Sequence, residues 1–477
     1  MLLAIQLMAA SQLPGCRSYS SVIGKDSIKP LIVEDHSLAL PHWAEKGIRN
    51  AVLINIDTHD DIRWVQDKNI DALRDIYRRK DWKLFRESGS LSDNTLYHIG
   101  NWIYAGGHLG IFSEVYWVIP FDVLSMENPD LQMRRFLRDY EFNEQEIQTF
   151  SLHGRQFRGS FHGIPLTVCD IKSLPDISDP VLLSMDTDYF PPYSTVNEKS
   201  YLSALHEVFQ ALYAKKYKVL DAVVCYSVNS NYLPPYLRWV GDTIAAILEK
   251  PGMINKEPLE QLTLLQQIDN SYRGTDATEM LKLISSWMVK YPLPSLQLYK
   301  AYAHVLQGES DHAYQAAVES CKTDRLYCTG LPNIGSYYYS EGRYKTAEKF
   351  FVAGYAANPG MSNDLFFYGH CLRKLGRLND ALISYEKDEA INGTFPTRFL
   401  IAEIQLLQND KKTAEISIAK AVKHLMTSRY AQVVNHETAG AIYTVLDYCD
   451  RVGLNDLARN LRNCPAVTSM FAQYPRK

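Results

Sequence analysis

Short apolar runs alternate with longer amphipathic stretches along the first half of the chain. The apolar runs predict strands at residues 29–35, 50–57, 114–120, 164–170, 180–186 and 220–227. Stretches with helical periodicity lie between them, at residues 64–78, 130–140 and 198–214. Continuous apolar strands separated by helices are typical of a parallel sheet covered on both faces. The pattern therefore predicts an α/β domain in which ligands bind beyond the carboxyl ends of the strands.

From about residue 270 the strand pattern gives way to a 34-residue period. Four glycines repeat at this step: Gly274, Gly308, Gly342 and Gly376. A 34-residue period of paired helices is the tetratricopeptide signature. The clearest unit has small and aromatic residues where the two helices of a pair must approach closely: Gly335, Tyr338, Ala347, Phe351, Gly354 and Pro359. The period predicts an all-α tetratricopeptide-repeat solenoid, with weaker units at 406–415 and 451–460.

A chain of 477 residues exceeds one ordinary core, which agrees with at least two domains. The two patterns predict an N-terminal extension (1–27), an α/β domain (28–250), a linker (251–269), a repeat domain (270–465) and a C-terminal tail (466–477). An apolar fraction of 46% and a charged fraction of 22% are those of a globular protein. A net charge of −4 without a basic block argues against nucleic acid as a partner.

The eight cysteines are scattered and form no metal-binding pairs, so we predict reduced, mostly buried thiols in a cytoplasmic protein. The first 16 residues are apolar, but no lysine or arginine precedes Arg17, so the basic region of a secretory signal is missing. No apolar stretch reaches the length of a membrane span, so we expect no membrane association.

Three of the predicted strands end in clusters of acids and imidazoles. The clusters are VEDHS (33–37), IDTHDD (56–61) and SMDTDYF (184–190). The ends of parallel strands meet at one edge of the sheet, where uncompensated carboxylates repel each other and are costly to bury. A lone histidine after a strand is often structural, and a lone D-x-D is often a turn or a helix cap. Three such elements together predict a site for two divalent cations, with ligands from His36, Asp57, His59, Asp61, Asp186 and Asp188.

The motifs EDHS, DTHDD and MDTDYF resemble the arginase (ureohydrolase) superfamily. Together with HIGNWIYAGG and YWVIP, they are most similar to the arginase-like family that includes the peptide arginases. The resemblance covers residues 28–240 and implies an arginase/deacetylase-like sheet. It also implies a pair of metal ions, usually Mn²⁺, and hydrolysis of peptidyl-arginine to ornithine and urea.

Carried over by position, the resemblance gives one ion the ligands His36, Asp57, Asp61 and Asp186. The other ion would be held by Asp57, His59, Asp186 and Asp188. Two residues, Asp57 and Asp186, would therefore bridge the ions.

Catalysis also needs a proton donor for the leaving nitrogen. His98, in YHIGNW, is the candidate, with Asn101 as a substrate contact, although a structural role for His98 fits its sequence equally well. Arginases place a glutamate near the last strand of the core to pair with the guanidinium. Here the segment 225–235 contains Asn229 but no acid. Either Asp60 or Glu34 then supplies the charge, or the substrate is not a guanidine.

Two classes of function follow from these features. In the preferred one, a binuclear hydrolase acts on a peptide or protein that the repeat domain recruits. In the competing one, the α/β domain holds a structural metal and the protein is a non-catalytic scaffold. Hydrolysis of a related amide or amidine is a third possibility within the enzyme class.

Overall fold

The computed structural model describes residues 20–90, 95–140, 142–229, 232–256, 259–359, 362–392, 395–427 and 436–475. Most of the predicted N-terminal extension, residues 1–19, lies outside these ranges. The described chain has a mixed α/β region followed by a region built from helices. None of its helices is long and apolar enough to cross a membrane.

The strands of the first region are β1 (Ser21–Val22), β2 (Leu31–Val33), β3 (Ala51–Ile56), β4 (Gly89–Ser90), β5 (Tyr97–His98), β6 (Phe112–Val118), β7 (Ser151–His153), β8 (Gln156–Phe161), β9 (Ile164–Cys169), β10 (Val181–Asp186) and β11 (Lys218–Cys225). The main sheet has the order β1-β11-β10-β3-β6-β9-β8-β7, and β2 also pairs with β11. The strands predicted from sequence correspond to β2, β3, β6, β9, β10 and β11, which run parallel to one another.

The sheet is mixed rather than wholly parallel, which corrects the sequence prediction. The strands β1, β7 and β8 run antiparallel to their neighbours. Between β8 and β9 the chain reverses through His162 and Gly163, whose φ angles are 50° and 80°. Two consecutive positive φ angles are typical of the two-residue turn of a β-hairpin.

The helices of this region are α1 (Ala39–Glu45), α2 (Asp67–Arg79), α3 (Trp82–Glu87), α4 (Trp102–His108), α5 (Pro129–Asp139), α6 (Glu144–Thr149), α7 (Phe190–Val196), α8 (Tyr201–Lys215) and α9 (Arg238–Glu249). Alternate residues of β3 enter two separate apolar cores. Val52, Ile54 and Ile56 pack with residues of α8 and α9, whereas Ala51 and Leu53 pack with residues of α1, α2 and α4. Helices therefore cover both faces of the sheet, as the continuous apolar strands predict.

The second region consists of α10 (Glu260–Arg273), α11 (Ala277–Trp287), α12 (Pro294–Leu306), α13 (Ser310–Thr323), α14 (Gly330–Ser340), α15 (Tyr344–Ala357), α16 (Ser362–Lys374), α17 (Leu378–Asn392), α18 (Phe395–Leu407), α19 (Lys411–Thr427), α20 (His436–Val452), α21 (Asn455–Asn463) and α22 (Pro465–Gln473). We call this region the repeat arm. Gly308, Gly342 and Gly376 occupy the turns within successive helix pairs with φ of 76°, 73° and 76°. This left-handed conformation favours glycine, which explains the 34-residue period of the sequence.

Two segments outside the predicted repeat domain are structured. The predicted linker, 251–269, contains most of α10, and its Leu264 and Ile268 lie in the same apolar core as β3 and β10. The predicted tail, 466–477, contains most of α22, whose Val467 and Met470 pack into the arm. Helix pairing therefore begins before the glycine period becomes visible, and the two regions share a continuous core.

One pair of cysteines departs from the predicted reduced state. Cys321, near the end of α13, forms a disulfide with Cys328, seven residues further on. The turn after α13 brings their Cα atoms to 4.3 Å, a proximity that scattered positions in the sequence do not show. The cysteines at 169, 225, 371, 449 and 464 are free and buried, and Cys16 lies outside the described residues. Cysteine usage therefore gives no argument for a cytoplasmic location.

Candidate metal centre

The acidic clusters meet at the carboxyl edge of the sheet because β3 and β10 are parallel neighbours. Met185 pairs with Ile56, so Asp186 and Asp57 end adjacent strands at the same level. The third cluster follows β2, where His36 begins a short 3₁₀ helix. Asp35 caps this helix by accepting a hydrogen bond from the Ser37 N–H at 2.8 Å. The cap turns the chain sharply after the strand and fixes the position of His36.

The imidazole of His36 lies among three carboxylates. Its Nδ1 atom is 3.2 Å from Asp57 Oδ2, 3.0 Å from Asp61 Oδ2 and 3.3 Å from Asp186 Oδ2. The side chain is fully buried, and its Nε2 is 2.6 Å from Ser184 Oγ. With a cation among the carboxylates, a neutral ring that donates from Nε2 would turn the lone pair of Nδ1 toward that cation, which is how a metal-binding histidine is held.

A second group forms around His59. Its Nδ1 atom is 2.9 Å from Asp188 Oδ2 and 3.7 Å from Asp57 Oδ1. Asp57 therefore turns one oxygen to each imidazole, the arrangement expected of a bridging ligand. The contacts of Asp186 instead place it beside His36, where its Oδ2 also accepts a hydrogen bond from Ser227 Oγ at 2.7 Å.

Burial and mutual repulsion perturb the carboxylates. Burial, with the charges of Asp61 and Asp186, raises the pKa of Asp57 to about 6. Burial, with the charges of Asp186 and Asp57, raises the pKa of Asp188 to about 8. Burial alone would lower the pKa of His36, but these acids raise it well above its usual value. The group thus contains more buried negative charge than its two imidazoles balance.

The donor set fits divalent cations. The second carboxylate oxygen of Asp188, Oδ1, is buried without a hydrogen-bond partner. Potential ligand atoms cluster in three overlapping trios at this site: His36 with Asp57 and Asp61, Asp57 with His59 and Asp188, and His36 with Asp186 and Cys225. Carboxylate and imidazole ligands suit Mn²⁺, and they also suit other first-row ions. Two cations at these positions would supply the positive charge that the side chains lack.

Neighbouring groups hold the ligands in place. Asp61 adopts a left-handed backbone with φ of 50°, and its Oδ2 accepts a hydrogen bond from Trp102 Nε1 at 2.8 Å. Trp117 Nε1 donates to the carbonyl of Asp57 at 3.1 Å. Both indoles are buried, and a buried indole N–H needs an acceptor. The sequence motifs do not indicate these hydrogen bonds, although the position of each tryptophan near a strand end is compatible with them.

A cleft of about 200 Å³ opens over the ligands. Its walls include Asp60, Arg63, His98, Ser227 and Tyr232 as well as five of the predicted metal ligands. The ring of Tyr232 lies 4.6 Å from that of His59, and its side chain is half exposed. Arg63, Ser227 and Tyr232 were not predicted as site residues, because none of them belongs to a recognisable motif.

The structure brings His98 to the cleft but not Asn101. The Nδ1 atom of His98 accepts a hydrogen bond from the Gly100 N–H at 3.1 Å, which assigns the proton of a neutral ring to Nε2. The Oδ1 atom of Asn101 accepts from the His98 N–H at 2.7 Å. Asn101 is buried before α4 and shapes the turn that carries His98, so its position does not support the predicted substrate contact.

The two candidate acids have different surroundings. Asp60 lines the cleft, its Oδ1 is 3.7 Å from Arg63 Nε, and burial raises its pKa to about 7 although Arg63 opposes the shift. Glu34 instead forms an ion pair with the buried Arg238 and does not line the cleft. Asn229 is also outside the cleft walls, to which its segment contributes Ser227 and Tyr232. The predicted substrate roles of Glu34 and Asn229 are therefore not supported by their positions.

Comparisons with known proteins found solved structures of low similarity. No protein-family model matches the sequence, and no curated protein matches it. A solved structure of PilF from Pseudomonas aeruginosa is 13% identical, with a TM-score of 0.32, and the match covers 45% of this chain and 92% of that one. MamA from Desulfovibrio magneticus RS-1 is 15% identical, with a TM-score of 0.28, over 35% of this chain and 96% of that one. TM-scores this low do not establish a shared fold. The repeat assignment therefore rests on the 34-residue period and on the turns of this chain.

Proposed function

We propose that the α/β region is an arginase-like, binuclear metal-dependent hydrolase that converts arginine side chains of peptides to ornithine and urea. The repeat arm would recruit the peptide or its carrier protein. The observation that supports this most strongly is the convergence of His36, Asp57, Asp61 and Asp186 to within 3.3 Å around one imidazole nitrogen. These residues come from three separate sequence elements, and a purely structural role would not need so many unbalanced acids.

Two bound cations would supply Lewis acidity and a water activated for attack near neutral pH. The side chains have separate tasks around them. Asp57 offers an oxygen to each ligand group and would set the spacing of the ions. Ser227 and Trp102 hold Asp186 and Asp61 in orientation through hydrogen bonds at 2.7 Å and 2.8 Å.

The leaving nitrogen needs a proton, and His98 is the residue we assign to provide it. Its ring lines the cleft, and the hydrogen bond from Gly100 leaves Nε2 as the protonated nitrogen. The turn that carries it is fixed by Asn101. The transferred proton would come from the imidazolium form, which an imidazole reaches near neutral pH by taking up a second proton.

The walls of the cleft support a side chain as the substrate group. A volume of about 200 Å³ is below the usual range of whole-ligand pockets, so it admits one side chain and leaves a peptide backbone outside. Asp60 is the acid placed to pair with a guanidinium. One of its oxygens is 3.7 Å from the guanidinium group of Arg63, and the other is buried without a hydrogen-bond partner.

The test is mass spectrometry of arginine-containing peptides after incubation with the manganese-loaded full chain. We expect the mass loss of a guanidine becoming an amine, with urea as co-product. His98→Asn should lower this rate strongly while the protein keeps its metal. Lysine-substituted peptides are the negative control. Retained metal with no conversion of any arginine peptide would contradict the proposed reaction.

A further inference from the structure

A second cluster of metal-ligating side chains lies on the repeat arm, at the turn between α12 and α13. His304 is in the last turn of α12, Glu309 precedes α13, and His312 is in its first turn. The Oε2 atom of Glu309 is 2.8 Å from His304 Nδ1 and 3.2 Å from His312 Nδ1. The two imidazole rings are 5.2 Å apart. All three side chains can therefore direct a ligand atom to one point.

The turn itself does not require these residues. The next two repeats make the same turn, with Gly342 and Gly376 at φ of 73° and 76°, against 76° for Gly308. One step of 34 residues replaces the trio by Tyr338, Arg343 and Thr346, and a further step by Leu372, Arg377 and Asp380. A structural explanation through the fold of the turn therefore does not account for the trio.

The chemistry of the trio is that of a zinc site. Two imidazoles and one carboxylate are ligands that Zn²⁺ takes in proteins, and three protein ligands leave one coordination position open. Hydrogen bonds from His304 and His312 lower the pKa of Glu309, which keeps it ionised. The side chain of His304 is 12% exposed and that of His312 is 64% exposed, so the site is anchored on one side and open on the other.

We propose that His304, Glu309 and His312 bind one Zn²⁺ ion on the surface of the repeat arm, separate from the metal centre of the α/β region. The open position would accept water or a side chain of a protein bound to the arm. This proposal does not depend on the proposed hydrolase.

The test counts zinc in the full-length protein with a chromophoric competitor. Because the metal centre also binds cations, the informative quantity is the difference between chains. His312→Ala should bind one Zn²⁺ fewer per chain than the unsubstituted protein. His153→Ala, which removes another exposed histidine, is the matched control and should bind the same amount. Equal zinc counts for the unsubstituted and His312→Ala chains would overturn the proposal.

A second variant separates ligation from damage to the turn. Glu309→Gln keeps the size and the hydrogen-bonding oxygen of the side chain but removes its charge. We expect its zinc affinity at this site to fall by at least about tenfold, with an unchanged helical circular dichroism spectrum. Unchanged zinc affinity with an intact fold would also contradict the assignment.

Discussion

The metal centre and the repeat arm both bury charged groups, but they balance them differently. In the arm, Arg373 lies 2.7 Å from Glu403, and the hydroxyl of Tyr339 donates to Glu437 at 2.9 Å. In the centre, the imidazoles of His36 and His59 are the cationic partners of four acids, of which Asp61 and Asp186 also accept neutral hydrogen bonds: Asp57, Asp61, Asp186 and Asp188. A buried charge is tolerated when it is paired. The excess of buried acids at the centre is what the proposed cations would balance, whereas the arm pairs Arg373 with Glu403 through its own side chains.

The α/β region and the repeat arm also contact each other. Tyr236 follows the cleft segment by four residues, and its ring packs against Tyr272, Tyr299 and Tyr302 of the arm at 5.0–5.1 Å. Arg238, two residues later, pairs with Glu34, which precedes His36. The arm thus supports the segment that carries Tyr232 into the cleft.

The largest expected effect concerns this shared core. A chain ending at residue 250 loses Leu264, Ile268, Leu296 and Tyr299, which are buried in the same apolar core as strands β3 and β10. Each such side chain contributes about 1.5 to 3 kcal/mol, so their sum approaches the stability of a whole domain. We expect this chain to be unfolded or aggregated, whereas a chain ending at residue 359 stays soluble and binds metal. Soluble expression and metal analysis of both chains measure this. A folded, metal-binding 1–250 chain would show that the core is divisible.

The next effect separates structure from substrate binding at Glu34. Glu34→Gln leaves Arg238 buried without its ion-pair partner and should cost about 2 kcal/mol of unfolding free energy, reduced by the partial exposure of Glu34. Glu45→Gln, which breaks an exposed pair with Arg86, should cost less than about 1 kcal/mol. Urea denaturation measures both. An unchanged stability together with a raised KM for the peptide would return Glu34 to the role of substrate ligand.

The stabilisation that Mn²⁺ gives at the acids of the metal centre should depend on pH. The pKa values of Asp57 and Asp188 are raised from 3.8 to about 6 and about 8, so the metal-free folded protein binds more protons than the unfolded chain in this window. These two groups therefore contribute to the free energy of unfolding of the metal-free protein at low pH, and this contribution is lost as the pH rises. Mn²⁺ needs the ionised carboxylates, so the Tm increase that it causes should grow between about pH 5.5 and about pH 8. An increase that is the same at both pH values would argue against binding at these acids.

The smallest expected effect is at the rim of the cleft. Tyr232→Ala removes the ring beside His59 and should raise the KM for the peptide by about threefold to tenfold, the value of one aromatic contact. Tyr337→Ala, at an exposed tyrosine of the arm, should leave the KM for a small guanidine unchanged. Steady-state kinetics on both substrates measure this. An unchanged peptide KM in Tyr232→Ala, together with a raised KM for the small guanidine in Tyr337→Ala, would place the pocket for the substrate side chain on the arm.

The sequence predicted those parts of the fold that leave a regular pattern. Parallel strands buried on both faces are continuous apolar runs, and the repeat turns need glycine at a fixed step. The hairpin strands β7 and β8 were missed because they lie at the sheet edge, where exposed polar residues such as Ser151 and Arg158 interrupt the apolar pattern. The helix α10 was assigned to a linker because the predicted boundary at residue 270 lies just before the first periodic glycine, Gly274, which ends this helix.

For the site, the sequence indicated position along a strand but not side-chain direction. The predicted ligands follow strand ends, so the topology alone brings them together. Glu34 is two residues from His36, yet it turns to Arg238, a partner distant in sequence. The ring of Tyr232 lies beside that of His59, a contact that no local pattern in the sequence indicates.

The central claim is that two cations sit among the acids at the edge of the sheet. The most direct measurement is the manganese content of the full chain after purification without chelators and removal of free metal. Because we propose a separate Zn²⁺ site on the arm, manganese is supplied alone. We predict two ions per chain, their loss in Asp57→Asn, which removes the charge of the carboxylate that faces both imidazoles, and their retention in Asp179→Asn, which changes an exposed acid. Less than one ion per chain in the unsubstituted protein would contradict the account and favour a scaffold without a binuclear centre.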